Sequence, residues 1–83
     1  MRLHNSDVVR HFKREQNSEG NAYLYRIINM DVLHTETAER CVVYEALYSP
    51  FQVYVRPYDA FMSEVDHEKY PNIKQKWRFE KEV

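Results

Sequence analysis

Short runs of alternating apolar and polar residues organise this chain. In Val8–Lys13, Val8, Arg10 and Phe12 share one face of an extended segment, and Val9 and His11 the other. That period of two predicts a first strand. Residues 14–21 are polar and hold the only glycine, Gly20, so they predict a loop. Alternation resumes over Ala22–Leu33, where Tyr23, Tyr25 and Ile27 oppose Leu24, Arg26 and Ile28. Asn29 and Asp31 interrupt it and predict a bulge or bend. After a polar turn at Thr35–Arg40, Cys41–Tyr48 reads as a strand with Val43 and Leu47 on one side. Val42, Tyr44, Ala46 and Tyr48 take the other. Glu45 turns the first side to water, while Ala46 between two tyrosines leaves room inside a barrel, so Tyr44 and Tyr48 are expected to face inward.

Ser49-Pro50 ends that strand, because proline donates no ladder hydrogen bond and restricts the residue before it. Phe51–Arg56 supplies the next strand, closed by Pro57. Asp59–Met62 suits one helical turn capped by Asp59. Phe61–Val65 follows as a short strand, Asp66–Lys76 as a charged connection containing Pro71, and Trp77–Lys81 as a terminal strand. Five or six short strands with one helical turn make a mainly β domain. Closure into a small β-barrel would remove edges that so small a sheet cannot otherwise protect. A rival reading extends the helix over Asp59–Lys69, where Phe61, Met62, Val65 and Glu68 have partial helical spacing, and gives an α+β domain.

Composition narrows the picture. Eighty-three residues are read as one domain, 1–83, with a modest core. Seven Tyr, four Phe and one Trp favour half-buried sheet surfaces and let few residues bury much area. A net charge of −1, with acids and bases interspersed, argues against a duplex-DNA binder held by charge. The single Cys41 excludes an intrachain disulfide and a Cys-based zinc site, and beside Val42 and Val43 it reads as a buried thiol. No apolar run is long enough to span a membrane, and Met1–Asp7 lacks the apolar stretch of a secretory signal. The expectation is a cytoplasmic domain with no membrane partner.

One polar cluster invites metal chemistry: His34-x-Glu36-x-x-Glu39, with His11 available from a neighbouring strand. Two carboxylates and one or two imidazoles suit zinc, manganese or iron if they converge. The plainer reading has Thr35 and Thr37 hydroxyls bonding backbone amides, both glutamates in water and His34 bonded to the loop. Acid–base work by Glu36 and Glu39 would need an apolar pocket to raise one pKa. None is evident, the four serines sit in no nucleophile elbow, and no glycine-rich phosphate loop is present. The chain is therefore read as no enzyme and as carrying no cofactor.

Aromatic residues offer more. Tyr44, Tyr48, Tyr54, Tyr58 and Trp77 fall on strands that neighbour one another in a small barrel, and Arg56 alternates with Tyr54 and Tyr58. Such a strip stacks bases, cages a methylated amine or holds a proline-rich peptide; the plainer reading makes the tyrosines core and rim. Lys74, Lys76, Arg78 and Lys81 are diluted by Glu80 and Glu82 and read as a solvated face. The favoured function is a noncatalytic binding module presenting His11, His34, Glu36, Glu39, Tyr44, Arg56 and Tyr58 to a peptide, protein or nucleic acid. In it Arg56 anchors an anionic or carbonyl group. The competitors are a metal-dependent enzyme centred on His34, Glu36 and Glu39, and self-association through an exposed strand.

His11-Phe12-Lys13, His34-Thr35-Glu36-Thr37-x-Glu39, Val42-Val43-Tyr44-x-Ala46-Leu47-Tyr48, Val55-Arg56-Pro57, Phe61 and Arg78-Phe79 occur in this order. Together, over about residues 8–81, they resemble the small bacterial domain-of-unknown-function family 1653. The resemblance implies an SH3-like β-barrel roll and implies no activity. The family commonly has glycine and a short turn after the His-Phe-Lys; here Arg14 begins a longer polar loop. The segment between Tyr25 and His34 is about one residue longer than the family pattern, as a bulge near Asn29–Asp31 would make it.

Overall fold

Five strands form a single antiparallel sheet in the computed structural model, which describes residues 2–83. They are β1 (Val8–His11), β2 (Leu24–Leu33), β3 (Arg40–Ala46), β4 (Val53–Pro57) and β5 (Phe79–Lys81), in the order β4-β3-β2-β1-β5. The first four run as a meander, and β5 returns to pair beside β1. A 3-10 turn spans Phe12–Glu15, and the short helix α1 spans Tyr58–Phe61. No helix among the described residues is long and apolar enough to cross a membrane.

Alternation does the folding work. Val9, Tyr25, Ile27, Val42, Tyr44 and Ala46 project to one face of the sheet and close over Phe61 and Phe79 as a core. Ala46 lies directly opposite Tyr25, so its small side chain leaves space for that ring. Tyr44 is buried and Tyr48 packs partly buried against the same core, as their alternation predicts. The expected irregularity in β2 is present: its register against β3 shifts between Ile27 and Asn29 and again before Val32. There the Met30 amide donates to Asn5 Oδ1 at 2.8 Å, tying the N-terminal segment to the sheet.

Several elements are shorter than their patterns predict. β1 stops at His11 because Phe12–Glu15 coils into the 3-10 turn, capped when His11 Nδ1 accepts the Lys13 amide at 3.1 Å. Pro57, not Asp59, occupies the N-cap of α1, and no side chain caps it. The helix ends at Phe61, so neither the longer Asp59–Lys69 helix nor a strand over Phe61–Val65 forms. Glu64 makes only an isolated bridge to Trp77.

The stretch after α1 is held by its own devices. Phe12, Val65 and Ile73 form a second apolar cluster with Tyr70 against it. The Glu15 carboxylate accepts the amides of Lys74 and Gln75 at 2.9 and 2.7 Å. Buried Gln75 donates to the carbonyls of Arg10 and Trp77 at 3.1 and 2.9 Å. Phe61 stacks on Phe79 with centroids 4.1 Å apart and planes 8° from parallel, joining α1 to the last strand. The outer strands β4 and β5 are not hydrogen-bonded to each other, so the ladder is open between them.

Candidate binding cleft

All five strands contribute side chains to a depression on the core side of the sheet. It encloses about 240 Å³ and is lined by His11, Lys13, Tyr23, Tyr25, Tyr44, Tyr54, Arg56 and Phe79. A second depression of about 270 Å³ shares His11, Lys13 and Arg56 as a wall and adds Phe12, Asp66, Lys69, Tyr70 and Arg78. Either alone falls below the ~300 Å³ at which small-ligand pockets usually begin. The two adjoin at these three shared residues as neighbouring lobes, the first mainly aromatic and the second mainly cationic.

The register places its central pair. Tyr54 pairs with Tyr44 across β3–β4, and Arg56 pairs with Val42, so Arg56 is the diagonal neighbour of Tyr44. Arg56 Nε donates to the Tyr44 hydroxyl at 3.2 Å, and its guanidinium lies 5.8 Å from the Phe79 ring centre. Arg78 is held in the same way: its Nε donates to the Ala60 carbonyl and to Ser63 Oγ, both at 3.1 Å. The terminal nitrogens of both guanidiniums have no hydrogen-bond partner among the described residues.

Charge in the cleft is one-sided. Lys13, Arg56, Lys69 and Arg78 line it, and none makes an ion pair among the described residues. Asp66 is the one acid lining either lobe, and its Oδ1 is occupied by the amides of Glu68 and Lys69. His11 records this field. Burial, followed by the positive charges of Arg56, Arg78 and Lys13, lowers its pKa from 6.5 to about 3. At neutral pH the ring is thus uncharged, with Nδ1 accepting from Lys13 and the proton on Nε2. Tyr25, which lines the aromatic lobe, shares a 2.7 Å hydroxyl–hydroxyl bond with Tyr48; burial first, then that bond, raises the Tyr25 pKa.

Residues 7–81 match the family model described as "Protein of unknown function (DUF1653)". The chain belongs to this family. No curated protein and no solved structure matches it. Three segments that carry the resemblance, His11-Phe12-Lys13, Val55-Arg56-Pro57 and Arg78-Phe79, contribute side chains to the cleft of this DUF1653 domain.

Of the residues singled out from the sequence, the fold brings His11, Tyr44 and Arg56 together. Tyr58 is separated from them. The alternation that put it beside Arg56 ends at Pro57, and as the first residue of α1 Tyr58 instead lies under the Arg40 guanidinium, 3.7 Å from its centre. His34, Glu36 and Glu39 are exposed on the β2–β3 turn. There His34 Nδ1 accepts the Glu36 amide and Thr37 Oγ1 the Glu39 amide, each at 3.2 Å. No group of three metal-ligating side chains forms among the described residues. Glu39 borders a different depression, with Arg40, Pro57, Tyr58 and Asp59.

Of the C-terminal basic residues, Lys74, Lys76 and Lys81 are exposed, as a solvated face requires, whereas Arg78 is half-buried and lines the cationic lobe. Lys13, Lys69 and Tyr70 were also not singled out for a site. No local signal marks them: they are charged or aromatic residues in polar segments until the fold sets those segments side by side.

Proposed function

We propose that this domain is a noncatalytic binding module, SH3-like in build, whose two-lobed cleft receives an anionic ligand. The observation that carries the reading is the pair of guanidiniums fixed through Nε, with their terminal nitrogens unengaged. Such groups are preorganised, so a ligand meets them without the usual loss of side-chain freedom. The one-sided charge disfavours a methylated amine, which the sequence alone left open. His11, uncharged at neutral pH, acts here as a hydrogen-bond donor and not as a proton shuttle.

The test is thermal stabilisation of the domain by inorganic phosphate at low ionic strength. Phosphate raises the melting temperature of the wild type, and the rise disappears in Arg56→Gln and shrinks in Lys13→Gln. An undiminished rise in both variants discards the reading.

A second reading, self-association through β4, has its own support. The Ala46 amide bonds the Gln52 carbonyl, and by antiparallel alternation the backbone groups of Val53 and Val55 face outward. Val55 is also 65% exposed. Such an edge pairs readily with another strand. The mass in solution decides it: a monomer at all concentrations removes this reading.

A further inference from the structure

We propose that the anion is the phosphate of a nucleotide, seated on Arg56 and Arg78, with the base against the tyrosines of the adjoining lobe. The proposal rests on the anion-binding reading above and narrows its ligand.

Charge favours a phosphate monoester over a carboxylate. Lys13, Arg56, Arg78 and Lys69 border the cationic lobe against the single acid Asp66, and none of the four makes an ion pair among the described residues, so a single carboxylate would still leave much of that charge unmatched. A dianion with three acceptor oxygens can engage both guanidinium ends and accept a hydrogen bond from His11 Nε2–H as well.

The neighbouring lobe fits a flat, polar-edged ring. Its walls are Tyr23, Tyr25, Tyr44 and Tyr54, and it shares Lys13 and Arg56 with the anion site, so ring and phosphate would be contiguous. The Tyr25 hydroxyl is taken by Tyr48, and the Tyr44 hydroxyl accepts from Arg56. Those of Tyr23 and Tyr54 have no partner among the described residues and remain available to base edges. Tyr54 is 41% exposed, which leaves ring surface for stacking. Tyr23 sits at the lip with φ +64°, a left-handed conformation that costs a non-glycine residue energy. Its carbonyl accepts the His11 amide at 3.0 Å, so the strained residue is built into the cleft wall.

Calorimetric titration of the full chain with inorganic phosphate, adenosine, adenosine monophosphate and a 5′-phosphorylated tetranucleotide tests this. The nucleotide should bind about tenfold or more tighter than inorganic phosphate, as one base–aromatic stack provides, and adenosine alone only weakly. Tyr54→Ala should reduce the nucleotide to the level of inorganic phosphate. If that variant does not fold, Tyr23→Asn removes a ring while tolerating the left-handed backbone. A nucleotide no tighter than inorganic phosphate overturns the proposal and leaves anion binding standing; no binding by either overturns both. Tighter binding of the tetranucleotide identifies a single strand as the source, and equal or weaker binding a free nucleotide.

Discussion

Arg56 Nε donates to the Tyr44 hydroxyl at 3.2 Å, diagonally across the β3–β4 pair. This bond aims a guanidinium that has no carboxylate partner among the described residues. Tyr44→Phe keeps the buried ring and removes only the acceptor. The expected result is a native circular-dichroism spectrum with phosphate affinity lower by about threefold to tenfold, equivalent to ~1 kcal/mol of positioning. Unchanged affinity would show that Arg56 is oriented by something else.

The Tyr25–Tyr48 hydroxyl pair should respond unequally to deletion. Tyr25 is buried and Tyr48 is half-buried. Tyr48→Phe leaves the Tyr25 hydroxyl without a partner, at a cost of about 1–3 kcal/mol. Tyr25→Phe strands a hydroxyl that water can reach, so it costs less. Urea midpoints of the two variants check the order, and the reverse order would contradict it.

His11 ties stability to pH. Its folded pKa of about 3 lies below the ordinary 6.5, so between these values the unfolded chain binds a proton that the folded chain does not. Stability therefore falls as pH drops through that window and is fully present above it. His11→Asn keeps an acceptor for the Lys13 amide but binds no proton. Relative to the variant, wild type should lose on the order of 2 kcal/mol between pH 6.5 and 3, after discounting for solvent access. Parallel stability curves for the two proteins would rule this out.

Ala38 occupies the exposed β2–β3 turn at φ +58°. Glycine carries no penalty there, although it adds freedom to the unfolded chain. Ala38→Gly should stabilise the domain by roughly 0.5–1 kcal/mol, read as a higher melting temperature. A lower one would mean that the entropy of the unfolded state dominates.

Much of the sheet was legible because a strand writes its own period into the chain. Ala46 between Tyr44 and Tyr48 announced an inward face, and Asn29 and Asp31 announced the irregularity in β2. The failures fall where the period changes: at Phe12, which enters a 3-10 turn, and at Tyr58, which enters α1. Gln75 gave no signal, because its burial depends on the Arg10 and Trp77 carbonyls reached only after folding.

By itself, then, the sequence determined the β class, most strand positions and the inward placing of Tyr44, since these follow from neighbours one and two residues apart. It marked Arg56, which alternates with Tyr54 and Tyr58, as a candidate anchor. Only the tertiary structure decided that Arg56 meets Arg78, Lys13 and His11. The physical reason is distance along the chain. Residues 11, 56 and 78 have no local interaction that could record their meeting, and they come together only when β5 returns beside β1.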